Sequence, residues 1–327
     1  MPNQNFWNII KAMITQEEVV RFFKNNAALA VSTVAAEAGV SPETMRKVMT
    51  GKRDLNEKHL KALYPVLVKY GYKSPSKKCQ VISVANHKGG TGKTTTTMNL
   101  GAALAMLGKQ VLLIDVDPQF NLTQYCGVEE EDITDSILET FTENKPLPVL
   151  PVDKNLYLVP AELALTRAET SIASNITSYM KLKNALQPLK ATYDYVLIDC
   201  PPSLSFFTTN AIMASDSIII PLETEHLARK GLNSIIEYID EIRQNGLNSE
   251  IELMGILLTK VNHTVISRTT ADFINHKYAK NTFKTVIRDN VTLAESSAGA
   301  ENIHKYSPRS YGAQDYLNLA KEITQYG

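Results

Sequence analysis

The run Val81-Ile82-Ser83-Val84-Ala85, followed by Asn86-His87-Lys88-Gly89-Gly90-Thr91-Gly92-Lys93-Thr94 and a helix-compatible stretch over residues 95–107, constrains the fold of this chain most. A β-branched strand, a glycine-rich turn and a helix arrive in the order that a phosphate cradle requires. Glycines let consecutive backbone N–H groups turn inward around a β-phosphate, and the helix start adds its positive dipole end. In such a loop Lys93 reaches the β- and γ-oxygens and Thr94 ligates Mg²⁺. A glycine-rich turn without a ligand is the competing reading.

A loop of this kind sits on a parallel sheet, and the sequence supplies further strands. Short apolar runs at residues 111–114, 156–159, 195–198, 217–220, 252–258 and 285–287 alternate with helical stretches such as 98–107 and 232–242. This alternation predicts an α/β fold, a parallel-sheet phosphate-loop NTPase domain with helices on both faces. Two of the runs end in acids: Leu112-Leu113-Ile114-Asp115-Val116-Asp117-Pro118-Gln119, and Tyr195-Val196-Leu197-Ile198-Asp199-Cys200-Pro201-Pro202. Ligands bind at the C-terminal edge of a parallel sheet, where a strand-end aspartate is placed to hold a magnesium-bound water. Capping of the next turn is the alternative for each.

Residues 1–70 read instead as helices, and the turn formers and charges of residues 71–78 break that pattern. The expected organisation is a small all-α domain over residues 1–73, a linker over 74–79 and the phosphate-loop domain over 80–327. Charge divides the same way. The chain has 34 basic and 34 acidic side chains, but residues 1–78 hold 13 basic and 6 acidic ones, so this segment is +7 and the remainder −7. A nucleic-acid-binding arm on an acidic enzyme body produces such a split, as does a merely Lys-rich surface. With 327 residues, 44% of them hydrophobic and 21% charged, the chain has material for sizeable cores, which excludes disorder, collagen and coiled-coil rods. Cys79, Cys126 and Cys200 lack disulfide-framework or metal-ligand spacing, which points to a reducing cytosol. Charges within the first 30 residues, and the absence of an apolar run near 18 residues, predict neither signal peptide nor membrane span.

Within the basic segment, an apolar helix ends at Gly39, Ser41 is placed to cap a second helix, and Pro42 suits its first position. This is helix-turn-helix syntax, and the Ala38-Gly39-Val40-Ser41 core resembles lactose-repressor and Cro-like DNA-binding domains. Residues 42–50 would be the recognition helix, with Glu43, Thr44 and Lys47 at base edges and Arg46, Lys52 and Arg53 at bases or phosphates. A three-helix bundle serving protein contacts is the alternative. On a symmetric dimer the motif predicts half-sites about 34 to 36 Å apart or a multiple of that. The apolar positions Phe6, Trp7, Ile10, Val19, Val20, Phe22 and Phe23 read as core or as a chain-joining face.

The residues of the ATPase half resemble a known family. Lys88 adds a second lysine at the start of the Lys88-Gly89-Gly90-Thr91-Gly92-Lys93-Thr94 loop. With the Asp115-Val116-Asp117-Pro118-Gln119 and Ile198-Asp199-Cys200-Pro201-Pro202 segments downstream, the chain resembles the ParA/Soj/MinD ATPases over roughly residues 79–327. Asp117-Pro118-Gln119 and the stretch at residues 312–323 are closer to the partition branch than to MinD. The resemblance implies ATP/ADP and Mg²⁺ as cofactors. It implies that Lys88 crosses a two-fold axis to the partner's ATP, that Lys93, Thr94 and the loop's Gly89, Gly90, Thr91 and Gly92 hold phosphates, and that Thr95 meets the α-phosphate. Asp117 would orient the attacking water, and Asp115 and Asp199 would join Thr94 in the magnesium shell. Asn262 would either pair with adenine or form a turn, and residues 225–231 correspond to a dimer-contacting segment.

The implied function is a ParA-type partition ATPase, cytoplasmic and nucleoid-associated. It would form a homodimer on ATP, bind DNA without sequence preference, and be stimulated by a centromere-binding ParB-type partner. The N-terminal domain would bind the protein's own operator as an autorepressor. Six basic residues, Lys260, Arg268, Lys277, Lys280, Lys284 and Arg288, against Asp272 alone, form the expected bulk-DNA stripe, with a solvated face as the alternative. Asp289 and Thr292 stand where many relatives carry arginine, so the family's usual arginine contact is missing there, with Arg288, one position earlier, as the candidate substitute. Two other functions compete: a nucleotide-gated transcriptional regulator without a transport role, and a membrane-cycling ATPase. The latter needs a basic terminal amphipathic helix, whereas residues 314–327 hold one base, Lys321.

Overall fold

In the computed structural model the described residues are 14, 16–26, 29–72, 79–225 and 228–326. The chain divides into two compact units, Met1–Lys77 and Lys78–Gly327. Apart from Cys79, the expected linker lies outside the described residues, as do Phe6, Trp7 and Ile10.

The first unit holds helices α1 (Gln16–Asn25), α2 (Val31–Glu37), α3 (Pro42–Met49) and α4 (Glu57–Lys69). Apolar residues at helical spacing bury one face of each: Val19, Phe22 and Phe23 on α1, Met45 and Val48 on α3, Leu63 and Leu67 on α4. Phe22 meets Phe23 and Tyr72 edge-on at centroid distances of 5.7 and 5.5 Å. Local chemistry sets the breaks. Gly39 ends α2 in the left-handed region, and Ser41 caps α3 by accepting from the Thr44 amide at 3.2 Å, with Pro42 at the first helical position.

The second unit is a seven-stranded sheet with helices on both faces. Its strands are β1 (Gln80–Val84), β2 (Val111–Asp115), β3 (Leu150–Asp153), β4 (Leu156–Val159), β5 (Tyr195–Asp199), β6 (Ser217–Glu223) and β7 (Glu252–Thr259), in the order β3-β4-β2-β5-β1-β6-β7. All pairs are parallel except β3 with β4. Successive side chains of a strand point to opposite faces, and both faces here are covered. Leu112, Ile114, Val196 and Ile198 enter a core with α10 (Phe206–Ala214) and α11 (Ala228–Gln244). Leu113, Leu197 and Ile219 enter the other, with α5 (Lys93–Met106) and α15 (Tyr311–Tyr326). The remaining helices are α6 (Asn121–Tyr125), α7 (Ile137–Glu143), α8 (Leu165–Ala173), α9 (Lys181–Leu186), α12 (Val265–Lys277), α13 (Val291–Ala298) and α14 (Ile303–Tyr306).

Two local expectations differ from the structure. The antiparallel edge strand β3 was not expected, and residues 285–287 are not a strand. That segment follows β7 through separate contacts, Ile287 N to Leu258 O at 2.8 Å and Val261 N to Ile287 O at 3.1 Å. Its start is drawn off the ladder because the Lys284 and Thr285 amides donate to the Glu322 carboxylate on α15, at 2.8 and 3.0 Å. No helix among the described residues is long and apolar enough to cross a membrane.

Candidate functional site

Sheet register brings the candidate groups together. Asp199 at the end of β5 lies opposite Val84 on β1 and Asp115 on β2, so three adjacent strands end at one level. The glycine loop leaves β1 there and feeds α5. Gly90 and Gly92, at φ 76° and 87°, take the left-handed conformation that side-chain-bearing residues resist, and Gly92 then occupies the N-cap of α5. Thr259 at the end of β7 donates its hydroxyl to the Thr91 carbonyl at 2.9 Å. Asn86 shapes the loop's start, donating Nδ2 to Pro221 O at 2.7 Å and accepting from the Lys88 amide at 3.1 Å.

Lys93 opens α5 and is buried, yet its Nζ donates to the Lys88 carbonyl at 3.1 Å, so the ammonium curls back over the loop. Burial lowers its pKa, opposed by Asp199. Thr94, half-buried beside it, donates its hydroxyl to Asp199 Oδ2 at 2.7 Å, and Thr97 donates to Oδ1 at 3.2 Å. Asp199 is fully buried, and desolvation, with the Asp115 charge nearby, pushes its carboxyl well above the usual range. Thr95, half-buried, follows on the first turn, and Gly89 and Gly90 are exposed at the loop's tip.

Asp115, expected in the magnesium shell, is also fully buried, and its oxygens are instead taken by local donors. Oδ1 accepts from the Asp117 amide at 3.0 Å, and Oδ2 accepts from the amide and the hydroxyl of Thr123, each at 2.9 Å. Burial pushes its pKa up to about 7. Asp117 is buried too; its Oδ1 accepts from the Gln119 amide at 3.0 Å, and desolvation raises its pKa against the pull of Lys93. Hard oxygen donors, the Thr94 hydroxyl and the Asp199 carboxylate, suit Mg²⁺. Among the described residues no group of three or more His, Cys, Asp or Glu is arranged to hold a metal, so a cation here would also need oxygens from a bound phosphate.

Lys88 is half-exposed and its ammonium pairs with the Glu225 carboxylate of the same chain. Asn262 takes the turn-forming arrangement, its Oδ1 accepting from the Thr264 amide at 3.1 Å and hydroxyl at 2.7 Å. That turn leads into α12. Of residues 225–231, His226 and Leu227 lie outside the described residues.

The basic stripe divides. Arg268, Lys277, Lys280 and Lys284 are exposed, with Lys277 4.9 Å from the Tyr278 ring centre. Arg288 is committed to α15: Nη2 and Nε meet the Asp315 carboxylate at 2.6 and 3.0 Å, and its guanidinium lies 4.1 Å from the Tyr311 ring centre. In the first unit, Arg46, Lys47, Lys52 and Arg53 are exposed, Lys47 being paired with Glu43 at 2.7 Å. Thr44 differs from the expectation of a base-edge position. It is buried, its hydroxyl receiving from Ser41 at 2.9 Å and from Arg53 at 3.3 Å, because the third helical position packs beside the cap.

The sequence reading did not single out Asn86, Thr97, Thr123 or Thr259, which shape the loop and hold the carboxylates. Thr97 carried a signal, since in Lys93-Thr94-Thr95-Thr96-Thr97 it lies one turn beyond Lys93.

Residues 79–253 match a family described as AAA domain. The sporulation initiation inhibitor protein Soj of Bacillus subtilis is 39% identical over 254 residues, covering 76% of this chain and 99% of Soj. The chromosome partitioning protein ParA of Myxococcus xanthus is 38% identical over 248 residues, 75% of this chain and 87% of that protein. Among solved structures, cobyrinic acid a,c-diamide synthase of Mycobacterium smegmatis with bound ADP and magnesium is 30% identical and superposes with a TM-score of 0.67, over 76% of this chain and 95% of that one. The strand-end carboxylates, the two-lysine loop and these relatives agree: the chain belongs to the ParA/Soj/MinD family of partition ATPases.

Proposed function

We propose that the protein is an ATP-hydrolysing DNA-partition switch that closes as a dimer on ATP, binds bulk DNA in that state and opens on hydrolysis. One observation carries the reading: Lys93 curls over the glycine loop while Thr94 joins the loop's helix to the strand-end Asp199 at 2.7 Å. These contacts gather at one strand end the groups that a triphosphate would engage, and the synthase relative holds ADP and magnesium. Gly89 to Gly92 turn their amides to the β-phosphate, Lys93 binds the β- and γ-oxygens, and Thr95 meets the α-phosphate. Thr94 and Asp199 would hold Mg²⁺, which when bound would neutralise phosphate charge. Asp115, saturated by Thr123 and the Asp117 amide, fixes the turn that presents Asp117. Asp117 orients the attacking water. Lys88 crosses to the partner's ATP and stabilises the charge that develops on transfer, as an arginine finger does.

Arg268, Lys277, Lys280 and Lys284 form the bulk-DNA surface, and Arg288 is instead held by Asp315. A centromere-binding ParB-type protein stimulates hydrolysis, and the protein works in the cytoplasm on the nucleoid. The first unit reads an operator through α3, with Arg46, Lys47, Lys52 and Arg53 supplying base and phosphate contacts. The Ser41-capped α3 also favours a second reading, a nucleotide-gated regulator without transport.

Asp117→Ala tests the reading. ATP-dependent dimers should persist while turnover falls by about 10²-fold or more, the range for loss of a water-orienting group. Fast turnover in that variant would remove Asp117 from the mechanism. Lys93→Ala should abolish nucleotide-dependent dimerisation.

A further inference from the structure

We propose that Glu225 is a positioning residue for Lys88, holding its ammonium within the same chain until bound ATP draws it toward a partner. This inference rests on the proposed role of Lys88 across the dimer axis.

Three consecutive residues at the start of the loop touch, in turn, β6, α11 and the connection between them. Asn86 donates to the Pro221 carbonyl at 2.7 Å. The His87 ring lies against Gly231 so closely that a Cβ there would come within 2.9 Å of its Cε1. Lys88 pairs with Glu225. The neighbouring Glu223 is already engaged, by Lys260 at 3.1 Å, and its carbonyl accepts from the Glu225 amide at 2.8 Å. The two carboxylates of this short turn therefore serve two lysines from two different loops, and Glu225 serves the one in the phosphate loop.

The Lys88–Glu225 pair suits a resting position rather than a permanent one. The Lys88 and Glu225 side chains are 38% and 52% exposed, so water and salt screen the pair and it is worth little on its own. A γ-phosphate presents more charge and several acceptor oxygens in a drier site, and it outcompetes one exposed carboxylate. Lys88 also supplies the carbonyl that receives Lys93 Nζ, so the residue held by Glu225 belongs to the part of the loop that a phosphate would reshape.

The test uses the full chain with Glu225→Gln, which keeps the side-chain shape and removes the charge. In nucleotide-free protein, mass spectrometry reads the rate at which an amine-reactive acetylating reagent labels Lys88. In a second experiment, light scattering reads the ATP concentration that gives half-maximal dimerisation. Loss of an exposed pair should raise the labelling rate and lower the ATP midpoint, each by about two- to fivefold. Unchanged labelling would overturn the proposal. A raised ATP midpoint would also overturn it, because it would assign Glu225 to the closed dimer rather than to the resting chain. Lys88→Ala separates the two ideas. Undiminished ATP turnover in that variant would defeat the proposed role of Lys88, while the labelling of Glu225→Gln still decides the pairing on its own.

Discussion

Thr123 carries more of the site than its place in the sequence announces. Its amide and hydroxyl hold Asp115 Oδ2, and the same hydroxyl accepts from the Ala161 amide at 3.0 Å. Thr123→Val would leave a buried carboxylate short of a donor and a buried amide short of an acceptor, at a cost of about 1–3 kcal/mol. Chemical denaturation reads that loss, and an unchanged midpoint would remove Thr123 from the support of Asp115. His304 gives a pH dependence. Its Nε2 lies 3.2 Å from the Asn99 carbonyl, and burial lowers its pKa from 6.5. The unfolded chain takes up that proton first, so the contribution is complete above 6.5 and is lost as pH falls toward the lower folded value. The thermal midpoint should drop with acidification over that window, and His304→Gln should flatten the drop. Asp115 and Asp199 were legible as candidates because an acid that ends an apolar strand has few other uses. The Lys88–Glu225 pair was not, because its partners lie 137 residues apart and only the β6–α11 connection brings them together.

At the scale of elements, the phosphate loop and the central strands followed from local pattern, since strands buried on both faces show as continuous apolar runs. The edges did not. β3 contains Pro151, which marks an edge and weakens the strand pattern. Residues 285–287 look like a strand locally, but Glu322 on α15 takes the amides just before and at their start. The same helix claims Arg288, which the sequence alone would have left free for DNA. Asp315 accepts from the Arg288 amide at 3.1 Å as well as from its side chain, so it ties that segment to α15. Asp315→Ala should destabilise the second unit by about 1–3 kcal/mol, because it removes a nearly buried acceptor from a charged partner. Equilibrium unfolding of residues 79–327 measures this, and a change within error would show that the pair is ornamental. In the first unit, Ser41→Ala should cost about 1 kcal/mol through loss of the α3 cap.

For the whole molecule, the two compact units correspond to two kinds of DNA contact in the proposed function. The first is basic and helical; the second carries the phosphate loop and spans the residues that match the AAA domain family. Residues 79–327 alone should keep ATP-dependent dimerisation and bulk-DNA binding while losing operator-specific binding, which a gel-shift comparison with the full chain measures. In the proposed function ATP, and not DNA sequence, governs bulk-DNA binding. The most direct test is binding of the purified protein to random-sequence DNA with no nucleotide, with ADP and with ATP, across a salt series, because phosphate contacts dominate non-specific affinity. Salt-sensitive binding should appear with ATP only. Binding that ignores the nucleotide, or that appears only on the DNA upstream of the protein's own gene, would contradict the proposed function and favour the nucleotide-gated regulator.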